Sequence, residues 1–392
     1  MNGNIDRRLY QQCQACYNDL LASWQQLVNI DSGTGDGTGL TKVGRIVQEL
    51  LEQAGAAVSK YPVAGPDEAC HIVGTFTGSG QGKILTMAHL DTVFPSGTAA
   101  GRPFRIEGNR AYGPGVSDCK GGVTLGLYAV KILQQLQYED YAQITCLFNC
   151  DEEIGSPSSK ELIGQLAREH DYVLCLEPGQ VGDGVVSRRK GSSVMRVEVR
   201  GRAAHAGSEP HQGRNAILEL MNQINQLNQL AAPAKETTLT FTTFHAGDRI
   251  NVVPDYAVAQ ADIRVACPGE LDRLETRAQA IARQTVIADT QVSVGIDRQN
   301  PSLPSNAGTD ALIARAQAIY GELGKELKAD GAGGASDANW AAPAGKAVLD
   351  GLGFVKGGAN HTENENTLLD SVIPRLYLLT RLLMELGRQR LR

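Results

Sequence analysis

The sequence predicts an α/β fold: a mostly parallel sheet with helices on both faces, interrupted by a smaller α+β segment of ferredoxin-like order. Three observations predict it. Short apolar runs of strand length recur and alternate with helical patterns. Residues from about 180 to 293 break that pattern with alternating, half-exposed strands. With 392 residues and 42% hydrophobic content, the chain is long and apolar enough for two cores.

The first element is helical. Leu9, Cys13, Cys16, Leu20, Trp24, Leu27 and Val28 recur at helical spacing. Cys13 and Cys16 form a Cys-x-x-Cys pair on that stripe. No second Cys/His pair follows at zinc-ribbon distance, so they read as small core hydrophobes. The glycine-rich loop 31–42, "DSGTGDGTGLTK", leads to a second helix marked by Val43, Ile46, Val47, Leu50 and Leu51 and ended near Gly55. The loop matches neither glycine-rich nucleotide-binding pattern. A helix precedes it where such patterns need a strand, which argues against that use.

Four apolar runs then read as buried strands: 83–88 (KILTMA), 143–148 (QITCLF), 172–176 (YVLCL) and 346–350 (KAVLD). Helical patterns lie near 121–136 and 158–169. The insert opens with an alternating strand at 193–201. A helix follows with Ile217, Leu220, Met221, Ile224 and Leu227 on one face. Strands near 237–245 and 256–265, a helix near 270–287 and a strand near 290–296 complete a β-α-β-β-α-β order. The expected domains are 1–179 and 294–392 for the α/β part, and 180–293 for the insert.

Composition limits the partners. A formal charge of −6 without a long basic run does not suggest nucleic acid. No apolar stretch approaches membrane-spanning length, and "MNGNIDRRLY" has no apolar signal core. Eight cysteines scattered through apolar elements fit reduced thiols, and a cytoplasmic location is expected.

The chemistry lies at the strand ends, where open α/β sheets place their reactive crevice. His89 and Asp91 follow the strand at 83–88, and Asp151, Glu152 and Glu153 follow the strand at 143–148. Glu177 follows 172–176, and His361 comes after 346–350. Between the first two, "YGPGVSDCKGG" places Asp118 just before a glycine-rich helix start. So many carboxylates on one rim repel each other unless a cation sits among them, and imidazole with carboxylate suits zinc, with cobalt or manganese as substitutes. Five ligands exceed the needs of one catalytic zinc and match a pair about 3.5–4 Å apart. Asp91, two residues past His89, suits an acceptor for the imidazole N–H. Glu152 and Glu153 diverge, so one can bind metal while the other stays free as a general base.

These segments resemble the co-catalytic di-zinc metallopeptidases that include glutamate carboxypeptidase, aminoacylases and succinyl-diaminopimelate desuccinylase. The matching stretches are "MAHLDTVFP", "YGPGVSDCKGG", "FNCDEEIGS", "LEPG", "GRAAHAGSEPHQGRNAI", "INVVPDYA", "GGASDAN" and "NHTENE". They stand in the family's order along nearly the whole chain, and "DSGTGDGTGL" looks most like the glutamate carboxypeptidase branch. The resemblance implies two zinc ions per subunit: His89 and Glu177 on one, Glu153 and His361 on the other, and Asp118 bridging. It implies Glu152 as general base, Asp91 beside His89, and a cis peptide after Asp118. Cys119 departs from the Asp or Met often found there and is not expected to be a ligand.

The resemblance further implies that the insert is a lid and homodimerisation domain. His205 would reach the partner subunit's site and bind the scissile carbonyl oxygen. Arg264, Asn251 and the "GGAS" turn with Gly334 would receive a substrate carboxylate, with Lys190 a further candidate. Arg298 lies near the position of an arginine found in glutamate-specific relatives. The implied reaction is hydrolysis of an amide next to a free carboxylate, in a small peptide or N-acyl amino acid. The alternatives are an aminopeptidase or dipeptidase acting on free-amine peptides, and a metal-binding homologue without turnover.

Overall fold

The computed structural model describes residues 6–63 and 69–388. It divides into two units. One comprises Met1–Ser187, Ser305–Ala332 and Ser336–Arg392; the other comprises Arg188–Pro304 with Gly333–Ala335. The second unit therefore begins and ends later than the 180–293 read from sequence. The reason is strand length: its last strand runs over Gln291–Asn300, and the strand Gly184–Arg189 pairs at its start with Lys328–Ala332 of the first unit.

The first unit is built on a six-stranded sheet. Its spatial order is Ala57–Pro62, Cys70–Thr77, Gln143–Asn149, Lys83–His89, Tyr172–Cys175, Ala347–Leu349. The last four run parallel, and the first two add antiparallel pairs at one edge. The parallel strands are apolar without alternation, and Ile144 to Asn149 are all buried, because both faces of the sheet are covered. Helices Lys120–Gln135 and Val372–Arg388 pack on each other and against the strand Lys83–His89.

The antiparallel edge pair is absent from the sequence reading. Ala57–Pro62 is mostly exposed, polar and ends in proline, so it carries little strand signal. In Cys70–Thr77, Gly74 interrupts the apolar run; a Cβ there would meet the Leu51 side chain at 2.8 Å, so glycine lets helix Gly37–Gln53 sit close on the sheet.

The N-terminal stripe forms two helices, Arg7–Ala15 and Tyr17–Val28, joined at Cys16. Cys13 and Cys16 are buried in the core, as their spacing predicts. Trp24 is fully buried between Phe104 and Phe354, and its indole N–H donates to Val116 O at 3.1 Å.

The second unit has one antiparallel sheet, in the order Thr238–Ala246, Tyr256–Val265, Gly191–Arg200, Gln291–Asn300. Every neighbouring pair is antiparallel, which is the ferredoxin-like arrangement. Helices Ala216–Leu227 and Glu270–Ala282 close a separate core that includes Met195, Val197, Leu220, Ile263 and Leu274.

Candidate metal centre

The parallel register brings the chemistry together in the first unit. His89 ends its strand opposite Asn149, so the turn after Asn149 starts beside it. Glu177 stands two residues beyond a strand that pairs with the other side of Lys83–His89. Asp118 comes from the loop before helix Lys120–Gln135, and His361 from a loop in which its own φ is +61°.

His89 is fully buried. Its Nδ1 donates to the backbone oxygen of Asp91 at 3.0 Å, which turns Nε2 towards the carboxylates. That Nε2 faces Asp118 Oδ1 at 3.0 Å, Glu177 Oε1 at 3.6 Å and Glu152 Oε2 at 4.0 Å. The other oxygen of Asp118 lies 3.2 Å from His361 Nε2, which is also 3.2 Å from Glu153 Oε2. One carboxylate thus spans two imidazoles, each with a further Glu. The ligand atoms form two clusters that share Asp118, each within 4.8 Å, with Cys119 an added member of the first. The Cys119 thiol donates to Leu176 O at 3.4 Å, and the Asp118–Cys119 peptide is cis.

This donor set fits a pair of divalent cations. His89 Nε2 faces carboxylate oxygens at 3.0, 3.6 and 4.0 Å, a ring of negative charge suited to a cation, and Glu153 Oε1 is buried with no hydrogen-bond partner. Electrostatics agree. Hydrogen bonds donated to the carboxylates of Asp118 and then Glu153 push His361 up to about 10. Burial, with the charges of Glu177, Asp337 and Asp118, holds Glu152 well above the usual carboxylate range against the pull of His89.

The three consecutive carboxylates divide their work. Asp151 faces away: its oxygens accept from the Ser158 N–H and hydroxyl at 2.6 and 2.7 Å and from the Ser159 hydroxyl at 2.6 Å. Asp91 plays a broader part than the sequence suggests. Its carboxylate is 3.3 Å from His89 Nδ1, behind its own backbone oxygen, and accepts instead from the N–H groups of Glu152 (3.2 Å) and Glu153 (3.1 Å) and the Thr34 hydroxyl (2.7 Å). It therefore orients the histidine and the glutamate turn together.

With this geometry in view, the family model described as peptidase family M20/M25/M40 matches residues 85–385. The chain belongs to that family. It is 35% identical over 384 residues to carboxypeptidase G2 of Pseudomonas sp. (strain RS-16), covering 97% of this chain and 92% of that protein. Its fold matches aminopeptidase PepT from Bacillus cereus with a TM-score of 0.80 at 21% identity, over 94% of this chain and 98% of that one. It also matches the Bacillus subtilis YXEP protein, a dinuclear metal-binding peptidase of the M20 family, with a TM-score of 0.70 at 13% identity, over 95% and 99%. This M20 chain is a peptidase-type hydrolase with a set of candidate metal-ligand residues running from buried His89 to exposed His361, and no helix among its described residues is long and apolar enough to cross a membrane.

Sequence reasoning missed three residues around Asp118 and the glutamate turn. Glu365 is buried and accepts from the N–H groups of Ser117 (2.8 Å) and Asp118 (3.0 Å). Asn360 donates to Asp118 Oδ2 at 2.9 Å. Asp337, fully buried, accepts from the hydroxyl of Ser156, which has a φ of +59° just after the glutamate turn. Glu365 and Asn360 stand within or beside "NHTENE", but only the folded loop shows what they touch.

In the second unit, His205 lies in a two-residue strand paired with Val252–Val253 and is exposed. Its Nδ1 accepts from the N–H groups of Gly207 (3.1 Å) and Ser208 (3.0 Å), which places the ring proton on Nε2. Asn251 is exposed, and its carbonyl accepts from Ala206 N at 2.9 Å. Arg264 engages the Asp262 carboxylate through Nε at 3.0 Å and Nη2 at 3.0 Å. Lys190 is half-buried between two strands, and the Gly334 carbonyl accepts from Arg189 at 3.2 Å. Arg298 is tied to Asp272 at 2.6 Å and Glu275 at 2.8 Å.

Proposed function

We propose that the chain is a zinc-dependent hydrolase of glutamate carboxypeptidase type, releasing a C-terminal amino acid from a peptide or N-acyl amino acid. The observation that carries this reading is Asp118 spanning His89 and His361 while Glu152 stays beside them as a carboxylate the ligand set does not need. The likeness to carboxypeptidase G2 supports the carboxypeptidase side of the reading.

His89, Asp118 and Glu177 would hold one ion, and Asp118, Glu153 and His361 the other. Bound there, two zinc ions supply Lewis acidity at the scissile carbonyl and lower the pKa of a water towards about 7. Glu152 takes the proton of the attacking water, and its raised proton affinity suits it to hold that proton and return it to the leaving amine. Asp91 keeps His89 and the Glu152 backbone in place. His205, its Nε2–H free to donate, is assigned to the carbonyl oxygen, a role in which one donor is worth roughly 10²–10³ in rate. Arg264, Asn251, Lys190 and Gly334 are assigned to the substrate's carboxylate. For Arg264 this means exchanging Asp262 for the ligand.

Zinc-loaded protein tested on N-blocked dipeptides ending in Glu, Asp, Ala or Leu, their free-amine forms and their C-terminal amides decides the matter. Cleavage of blocked substrates that is lost on amidation, and lost in Glu152→Ala, is the expected result. Cleavage of free-amine peptides alone, indifferent to amidation, makes the protein an aminopeptidase. The same panel reads whether Glu is preferred.

A further inference from the structure

Two thiols face each other where the antiparallel edge of the sheet meets the glutamate turn. The strands Cys70–Thr77 and Gln143–Asn149 pair with Ile72 opposite Phe148, and two residues further that register sets Cys70 opposite Cys150. The chains stay side by side there. Cys150 N–H donates to His71 Nδ1 at 3.2 Å, and the Cys150 thiol donates to Cys70 O at 3.1 Å. Opposite residues of an antiparallel pair stand about 4.5–5.5 Å apart at Cα, within the span of a disulfide.

The two also share a face of the sheet. Side chains alternate along a strand, so Cys70 points with Ile72, and Cys150 with Phe148. All four pack into the core that takes Val43, Val47 and Leu51 of helix Gly37–Gln53.

They differ in access. Cys150 is 2% exposed, whereas Cys70 is half-buried and lines a groove of about 470 Å³. Arg45 and Lys60 also line that groove, and no acid does among the described residues, which favours an anionic reagent. Burial holds the Cys150 thiol well above the usual range, so thiolate chemistry begins at Cys70.

We propose that Cys70 and Cys150 form a thiol–disulfide couple, oxidised by a small anionic disulfide that enters this groove. The Cys70 thiolate attacks one sulfur of the reagent; the reagent's S–S bond breaks and one thiolate leaves, taking up the Cys70 proton. Cys150 sulfur then attacks Cys70 sulfur, the mixed disulfide breaks, and the second thiolate leaves with the Cys150 proton. Two electrons pass from the protein to the reagent, which ends as two thiols. The closed link ties the edge strand to the residue just before Asp151, Glu152 and Glu153, and it forms whether or not the protein hydrolyses amides.

The test uses reduced full-length protein carrying Cys267→Ser, since Cys267 is an exposed thiol. Glutathione disulfide is added over hours, and the products are read by intact mass and by digestion without reductant. The expected product has lost two hydrogens and yields a peptide joining Cys70 to Cys150, both reversed by dithiothreitol. Cys150→Ser keeps a donor for Cys70 O and should stop at one glutathionyl group on Cys70. In Cys70→Ser, modification of Cys150 should be at least about tenfold slower than that of Cys70, as burial of its thiol requires. A lasting glutathionyl group on Cys70 of the Cys267→Ser protein, with Cys150 still open to alkylation after unfolding, overturns the couple. Modification of Cys150 as fast as Cys70 overturns the entry through the groove. If Cys150→Ser does not fold, the joined peptide from the Cys267→Ser protein decides alone, and its absence sinks the proposal.

Discussion

Asp118 points its two carboxylate oxygens at different histidines, Oδ1 at His89 Nε2 (3.0 Å) and Oδ2 at His361 Nε2 (3.2 Å). A carboxylate can serve two cations in this way; an amide cannot, because its NH₂ faces one of the two sites. Asp118→Asn should therefore lose the ion that the NH₂ faces and weaken the other, whose ligand becomes a neutral amide oxygen. Outer partners of metal ligands already cost roughly 10–100-fold in affinity, so a shared ligand should cost more. Elemental analysis after dialysis should show well under half of the parent protein's zinc, and full retention would refute the bridging role.

Protons compete with metal at the same atoms. The Asp118 and Glu153 carboxylates raise His361 to about 10, so the metal-free protein holds that imidazole charged at neutral pH. Zinc must displace this proton, and affinity should rise with pH until about 10 is passed. Titration calorimetry at pH 7 in buffers of different ionisation enthalpy should show net proton release. A heat that does not depend on the buffer would contradict it.

Asp91 acts through others. Asp91→Asn keeps the size but places an NH₂ against either Thr34 or a glutamate N–H. We expect kcat to fall roughly 10–100-fold with KM nearly unchanged and with zinc retained, because orientation is lost rather than ligands. A rise in KM alone would remove Asp91 from the catalytic turn.

In the second unit, Glu270 accepts from Arg273 Nε at 2.9 Å and Lys235 Nζ at 2.7 Å, and these partners lower its pKa to about 2. The folded value is depressed, so the stabilisation is complete above the unfolded value near 4.5 and is lost as pH falls through about 2. Lys235 is 56% exposed, so Glu270→Gln should cost only about 1–2 kcal/mol at pH 7. Denaturant midpoints of the two proteins should converge between about pH 4.5 and 2. A gap that persists at pH 2 would point to packing instead.

Leu218 and Met221 stand exposed on helix Ala216–Leu227, and the strand Thr238–Ala246 is at the sheet edge, the features a subunit contact through the insert would use. If His205 serves the partner's site, mixing His205→Ala with Glu152→Ala should restore activity in heterodimers. Subunit exchange confirmed by mass, with no recovered activity, would end the shared-site assignment.

Much of this was legible before folding because chemistry and strand pattern coincide. His89 and Glu177 follow apolar runs that read as buried strands and fold as parallel ones, and parallel strands deliver their C-terminal ends to one edge. Asp118 and His361 were recognisable from motifs, but both sit on loops, where period carries no information about direction. The edge pair Ala57–Pro62 and Cys70–Thr77 was not legible, since an exposed polar strand and one broken by glycine lack apolar alternation.

The sequence by itself determined the α/β plan with its ferredoxin-like insert and the set of groups able to bind metal, because both follow from hydrophobic period and residue chemistry. Which member of that set does what was decided by tertiary structure. Asp151, Glu152 and Glu153 are alike in sequence, yet one is consumed by Ser158 and Ser159, one stands free beside His89, and one meets His361. Glu365 and Asn360 likewise gained their hold on Asp118 only when distant loops met. A carboxylate carries the same charge anywhere along the chain; its function depends on which donors the fold brings within 3 Å of it.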